Sequence, residues 1–202
     1  WQLSAFQEFK SSGLKHFYDV IWRVYQALMS VGSALVITLS PFIARVLMQH
    51  QFYSVWPLIS ILVLAFYLSA INNFLGTIYQ AYMRTKPLLV ATVVGTVACL
   101  AFTAVLVHDW GISAAAFGVF VGSLVIFVVL VIDVRRLMAI NMRPIPTAIT
   151  MTLLTVQSLV TSNQCSHYLF WSSICLLLIA FVQCYELKPL ITLIFARRKY
   201  TA

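Results

Sequence analysis

Four polar side chains in an otherwise apolar stretch, Asn73, Thr77, Gln80 and Arg84, follow one another at intervals of 4, 3 and 4 residues. On an α-helix this spacing sets them along one face, with Asn72 and Tyr79 beside it. Such a face offers hydrogen bonds to a sugar or a phosphate, with the cation of Arg84 at its mouth. The same side chains also suit hydrogen bonding between helices, at about 0.6–2 kcal/mol per contact. A second pair, Asp19 and Arg23, is spaced i, i+4. Arg23 either pairs with Asp19, reaches toward lipid headgroups, or forms a corner for a phosphate. Asn73, Thr77, Gln80, Arg84 and Arg23 are therefore the candidate substrate-binding residues.

Other chemistries find little to work with. The four histidines stand singly, so no metal site is expected. The four cysteines, Cys99, Cys165, Cys175 and Cys184, contain no C-x-x-C pair and read as small buried hydrophobes. No Ser/His/Asp or Cys/His set and no glycine-rich phosphate loop appears. Catalytic residues and cofactors are not expected, and nothing argues for an enzyme.

The elements that carry these residues follow from composition. Of 202 residues, 62% are hydrophobic and only 9% are charged, too few to cover a soluble domain. Crossing a bilayer core of about 30 Å takes about 20 apolar residues of helix. Val20–Ser40, Leu58–Tyr82, Pro87–Val107 and Ile112–Ile132 meet that need. Pro146–Ser162, rich in Thr, and Tyr168–Tyr185 are shorter. The expected fold is all-α, a polytopic transmembrane bundle of about six spans. Residues 1–16 form a cytoplasmic arm, 17–188 the bundle and 189–202 a basic cytoplasmic tail. The chain opens on Trp1 rather than methionine and is expected to belong to a longer protein. Ser40-Pro41 is expected to end the first span, with Pro41–Gln49 a short interfacial helix after it. Tyr53 and Trp56 then lie at the headgroup level.

Charge supports the count. The net charge is +8, but the basic residues stand between apolar runs and orient the chain rather than bind nucleic acid. With six spans and both termini cytoplasmic, Lys10, Lys15, Arg23, Arg84, Lys86, Arg135, Arg136, Arg143, Lys188, Arg197, Arg198 and Lys199 lie inside, leaving only Arg45 of the 13 basic residues outside. No charged residue falls near the middle of a span, so a carboxylate for proton or sodium coupling is missing from this stretch. In the fourth span Ala114, Gly118 and Gly122 make a stripe on which another helix can pack closely.

Several of these features occur together in one family. A span ends in Ser40-Pro41, followed by Phe42-Ile43-Ala44-Arg45-Val46-Leu47 and Trp56-Pro57-Leu58-Ile59-Ser60-Ile61-Leu62. Next come the stretch Gly76-Thr77-Ile78-Tyr79-Gln80-Ala81-Tyr82-Met83-Arg84-Thr85-Lys86 and the opening Trp110-Gly111-Ile112-Ser113-Ala114-Ala115. From Phe17 to about Leu137 the chain resembles the C-terminal region of Wzx-type O-antigen and oligosaccharide-lipid flippases, of the multidrug/oligosaccharidyl-lipid/polysaccharide exporter superfamily. It departs from the family pattern at Ser113-Ala114 and Met48-Gln49, and after Arg143 only the hydropathy agrees.

The resemblance implies one bundle of a 12- or 14-helix transporter in the bacterial cytoplasmic membrane, rocking against a pseudo-symmetric N-terminal half. Its implied partners are an undecaprenyl-pyrophosphate-linked glycan, membrane lipids, that N-terminal half and the polysaccharide polymerase machinery, with no nucleic acid. The implied activity is translocation of lipid-linked glycan units, as in lipopolysaccharide and other polysaccharide biosynthesis. Three alternatives are a multidrug exporter of the same superfamily, a membrane glycan polymerase or glycosyltransferase, and a non-transporting scaffold. The exporter would need its carboxylate in the other half. The polymerase or transferase usually carries a large extramembrane loop, and the longest outer loop here has about 17 residues.

Overall fold

A computed structural model of the chain describes residues 14–47, 56–137, 144–162 and 168–200. Within them the fold is all-α: α1 (Leu14–Leu47), α2 (Pro57–Ala81), α3 (Lys86–Trp110), α4 (Ile112–Leu137), α5 (Pro144–Ser162) and α6 (Tyr168–Tyr200). Five of the helices are long and apolar enough to cross a membrane, over Tyr18–Val46, Pro57–Ala81, Lys86–Trp110, Ile112–Val134 and Tyr168–Lys188. The chain is a multi-pass helical membrane bundle. The helix outside that set is α5, whose 19 residues are diluted by threonine. It nevertheless packs on α1, α2 and α6, inside the bundle.

Four boundaries differ from expectation by five residues or more: α1 starts at Leu14 and ends at Leu47, α4 ends at Leu137 and α6 at Tyr200. No break separates a first span from an interfacial helix, because α1 runs through Pro41 to Leu47. A proline in a helix interior leaves the carbonyl four residues earlier without its amide partner. Here that carbonyl belongs to Ile37, and the Ser40 hydroxyl donates to it at 2.8 Å. The serine beside the proline thus repairs the gap that the proline opens. The last helix likewise passes Tyr185 and continues to Tyr200, so the basic tail from 189 onward is helical backbone up to that residue. The N-terminal arm falls outside the described residues up to position 13, and α1 begins at Leu14. Tyr53 also lies outside them. Trp56 is buried, its ring 5.6 Å from that of Tyr168.

Tight turns force neighbouring helices to run antiparallel. After α2 the Arg84 amide donates to Tyr79 O and the Met83 amide to Gln80 O, each at 3.0 Å. These are the paired bonds of a Schellman stop, and Met83 holds its left-handed position at φ 55° without being glycine. A single residue, Gly111, separates α3 from α4 at φ 53° and ψ −129°, a conformation reserved for glycine.

The centre of the bundle is α2, which packs on α1, α4 and α5, while α6 packs on α1 and α5. Phe74 anchors the α1–α2 contact, with ring centroids 5.1 Å from Trp22 and 6.3 Å from Tyr18. In contrast α3 packs almost solely on α4 and buries only Ala91 and Gly95 among its side chains. The expected small-residue stripe makes that contact. A Cβ at Gly118 would overlap the Thr103 side chain, one at Gly122 would lie 2.8 Å from the Cys99 Cβ, and one at Gly95 would overlap Ile126. Of the cysteines, Cys175 is buried and Cys99 sits half-buried in this seam. Cys184 is exposed, against the expectation of burial, because it lies on the outer side of α6. Cys165 lies outside the described residues.

Candidate functional site

The five candidate residues occupy four different environments. Asn73 and Gln80 are exposed on α2, with Phe66 completing a stripe at intervals of seven residues. Thr77 is turned inward, buried, its hydroxyl donating to Phe74 O at 2.7 Å. Arg84 is exposed but lies beyond the end of α2, where the left-handed Met83 interrupts the helical spacing that would align it with Asn73. Arg23 is on α1 and faces elsewhere: it lines a small recess of about 10 Å³ with Gln26, Pro146, Gln183 and Glu186. The structure therefore keeps Asn73 and Gln80 together, sets Arg84 near their end of the helix, and separates Arg23 from them.

The neighbours of that row tie the bundle together instead. Asn72 donates from Nδ2 to Ser123 O at 2.9 Å, and the Ser69 and Ser123 hydroxyls lie 3.1 Å apart. Near the end of α2 the Tyr79 hydroxyl donates to Asp133 Oδ2 at 2.9 Å. These bonds join α2 to α4. A second network, not anticipated from sequence, joins α1, α5 and α6. Gln157 Nε2 donates to Ala34 O at 2.9 Å and to the Thr38 and Ser172 hydroxyls at 3.0 Å each. Closer to the other end, Thr147 donates to Gln26 Oε1 at 3.2 Å and Gln183 Nε2 to the Thr150 hydroxyl at 3.1 Å. Each bond satisfies a polar group that the hydrocarbon cannot. The threonine and glutamine content of α5, which weakens its apolarity, supplies these contacts.

One concave feature is also new. The helices α4 and α5 both pack on α2 but not on each other, and a groove of about 480 Å³ opens between them. Leu64, Leu68 and Leu75 of α2 form its floor, and Phe120, Phe127 and Val131 of α4 contribute one wall. Thr147, Ala148, Thr152 and Thr155 contribute the other, and Trp22 closes one end, where it also borders the recess of Arg23. Its size falls in the range of about 300–1,000 Å³ usual for small-molecule sites. At about 100° of rotation per residue, the floor leucines and the Phe66–Asn73–Gln80 stripe fall on opposite sides of α2. An outer stripe of Phe66 and two exposed amides and an apolar groove thus share one helix.

Among the described residues no three of His, Cys, Asp or Glu gather in a group that could hold a metal ion. Compared with protein-family models, curated proteins and solved structures, the chain matches none of them.

Proposed function

We propose that this bundle is one half of a transporter that moves lipid-pyrophosphate-linked oligosaccharides across the bacterial cytoplasmic membrane by alternating access. The observation that carries the reading is the placement of Asn73 and Gln80. Both are exposed, two turns apart, on a helix long and apolar enough to cross a membrane. An exposed amide facing hydrocarbon costs on the order of a few kcal/mol. These side chains therefore face a polar passage rather than lipid, and a glycan supplies the hydroxyl groups that amides bind. Arg84, exposed past the end of the helix, then stands at the mouth of the passage, where a pyrophosphate needs a cation. Arg23 and Thr77 take no part in the passage: one opens toward α5 and α6, the other is bonded to its own helix. The resemblance in the stretch from Phe17 to about Leu137 favours the same cargo.

The test is complementation of a bacterium that lacks its O-antigen flippase. The bundle joined to its other half is expected to restore surface polysaccharide, and Asn73→Leu and Arg84→Ala in it to lose that activity at normal membrane levels. Restoration by both variants would remove the passage from this face. Failure of the unaltered protein across several glycan backgrounds, with drug efflux in its place, would assign the chain to the exporters.

A further inference from the structure

The buried side of α5 is its polar side. Thr147, Thr150, Leu154, Gln157 and Thr161 follow one another at intervals of 3, 4, 3 and 4 residues, and all five are buried. Away from this stripe Ile149, Val156 and Leu159 are exposed, and Thr152 and Thr155 bond their hydroxyls to carbonyls of α5 itself. On the stripe, Thr150 and Thr161 also donate within the helix, to Pro146 O and Gln157 O. Thr147 and Gln157 are served from outside it. Thr147 donates to Gln26 of α1, and Gln157 to Ala34 O and Thr38 of α1 and to Ser172 of α6. The dependence is mutual, since Gln183 of α6 finds its acceptor in Thr150.

A lone α5 is poorly suited to hydrocarbon. Its 19 residues reach about 28 Å, slightly less than a bilayer core of about 30 Å. Among the described residues it is the helix outside the set long and apolar enough to cross. In lipid the Gln157 amide and the Thr147 hydroxyl would be left without the partners that α1 and α6 provide, and such groups are costly there. The opposite case is α3, which buries only Ala91 and Gly95 among its side chains and is nevertheless apolar enough to cross.

We infer that α5 is a conditional span: it crosses the membrane by bonding to α1 and α6 rather than by its own apolarity, and it does not cross when that junction cannot close. The inference concerns insertion alone and holds whatever the bundle carries. With the Met83–Lys86 turn on the inner side, α3 runs outward and α4 returns. A crossing α5 then carries the α5–α6 connection to the outer side, and a non-crossing one leaves it inside.

Cys165 stands in that connection and reports its side. The full chain carrying Cys99→Ala, Cys175→Ala and Cys184→Ala keeps it as the single thiol, and a membrane-impermeant maleimide is applied to spheroplasts and to inverted vesicles. Labelling in spheroplasts is expected. Ala34 and Ser172 are 0% and 1% exposed and sit against Gln157, so a phenylalanine at either holds α5 off while making its own helix more apolar. Ala34→Phe and, independently, Ser172→Phe are expected to lower spheroplast labelling at least threefold, with a matching rise in inverted vesicles. Adding Thr147→Val and Gln157→Leu to either removes the groups that need outside partners and is expected to restore labelling in spheroplasts. Three results would each overturn the inference. Labelling of the starting chain in inverted vesicles alone would mean that α5 does not cross. Spheroplast labelling untouched by both phenylalanines would mean that it crosses unaided. A loss that Thr147→Val with Gln157→Leu does not restore would mean that polarity is not what holds α5 back.

Discussion

The Tyr67 hydroxyl is buried in α2 with no hydrogen-bond partner in the protein, while a few turns away in the bundle Gln157 directs one amide nitrogen at three acceptors. The two side chains predict opposite outcomes. Tyr67→Phe keeps the ring and removes an unsatisfied group, so it is expected to be neutral or to stabilise by up to about 1 kcal/mol. Gln157→Leu keeps much of the volume but removes the amide that ties α5 to α1 and α6. Thr38 still donates to Ala34 O and bonds the Ser172 hydroxyl, and the unpartnered Gln157 Oε1 goes too, so the expected cost is about 0.6–1 kcal/mol. Thermal unfolding in detergent micelles separates the two. Met83 supplies a third case, since a side chain in the left-handed region costs about 1–2 kcal/mol that glycine does not. Met83→Gly is expected to raise the unfolding midpoint, with a net gain of up to about 1 kcal/mol after the greater freedom of glycine in the unfolded chain is subtracted. At this scale the sequence is informative about type and poor about direction. Asn72 and Asn73 are chemically identical neighbours, yet one is buried against Ser123 and the other exposed. One residue is about 100° of helix rotation, and nothing in the apolar residues around them fixes which amide points inward.

Among the elements, α1 and the α3–α4 hairpin are the most informative. The continuity of α1 across Pro41 depends on the Ser40 hydroxyl at Ile37 O. Ser40→Ala is expected to destabilise by about 1 kcal/mol, and Ser40→Ala with Pro41→Ala to recover it, since the restored amide replaces the lost donor. Reading Ser40-Pro41 as a helix end follows the steric rule for the residue before proline, and it misses a rescue that needs the serine oriented toward one particular carbonyl. The hairpin is legible where α1 is not. Gly118 and Gly122 are four residues apart, a spacing that marks a close helix contact, and the partner helix does lie within contact of both. Gly122→Val is expected to push α3 away from α4 and lower stability by about 2 kcal/mol or more, because the new carbons meet Cys99 and the Gly95 carbonyl. Gly32→Ala serves as the control: nothing lies within 4 Å of a Cβ there, so it is expected to gain the helix propensity of alanine, about 0.5–1 kcal/mol at most.

For the whole molecule, the side on which the C-terminus lies depends on α5 crossing with the others. That helix is short and polar by comparison, but Thr147, Thr150 and Gln157 bond to α1 and α6, and Thr152, Thr155 and Thr161 donate to the backbone of α5 itself. A crossing α5 puts the Met83–Lys86 turn and the C-terminus on the same side, and a non-crossing one puts them on opposite sides. Topology reporters inserted after Lys86 and fused after Ala202 are expected to report the same side, as the distribution of basic residues requires. Residue chemistry alone determined that this is a membrane bundle, because apolar stretches of about 20 residues leave the backbone no other way to satisfy its hydrogen bonds in lipid. It also placed most of the helix boundaries and the packing stripe of α4. The tertiary structure decided which side of each helix is buried, that Arg23 and Asn73 face different spaces, and that α4 and α5 stand apart over a groove. Helices apolar on every side carry no amphipathic signal to orient them, so facing is settled only when neighbouring helices compete for the same surface.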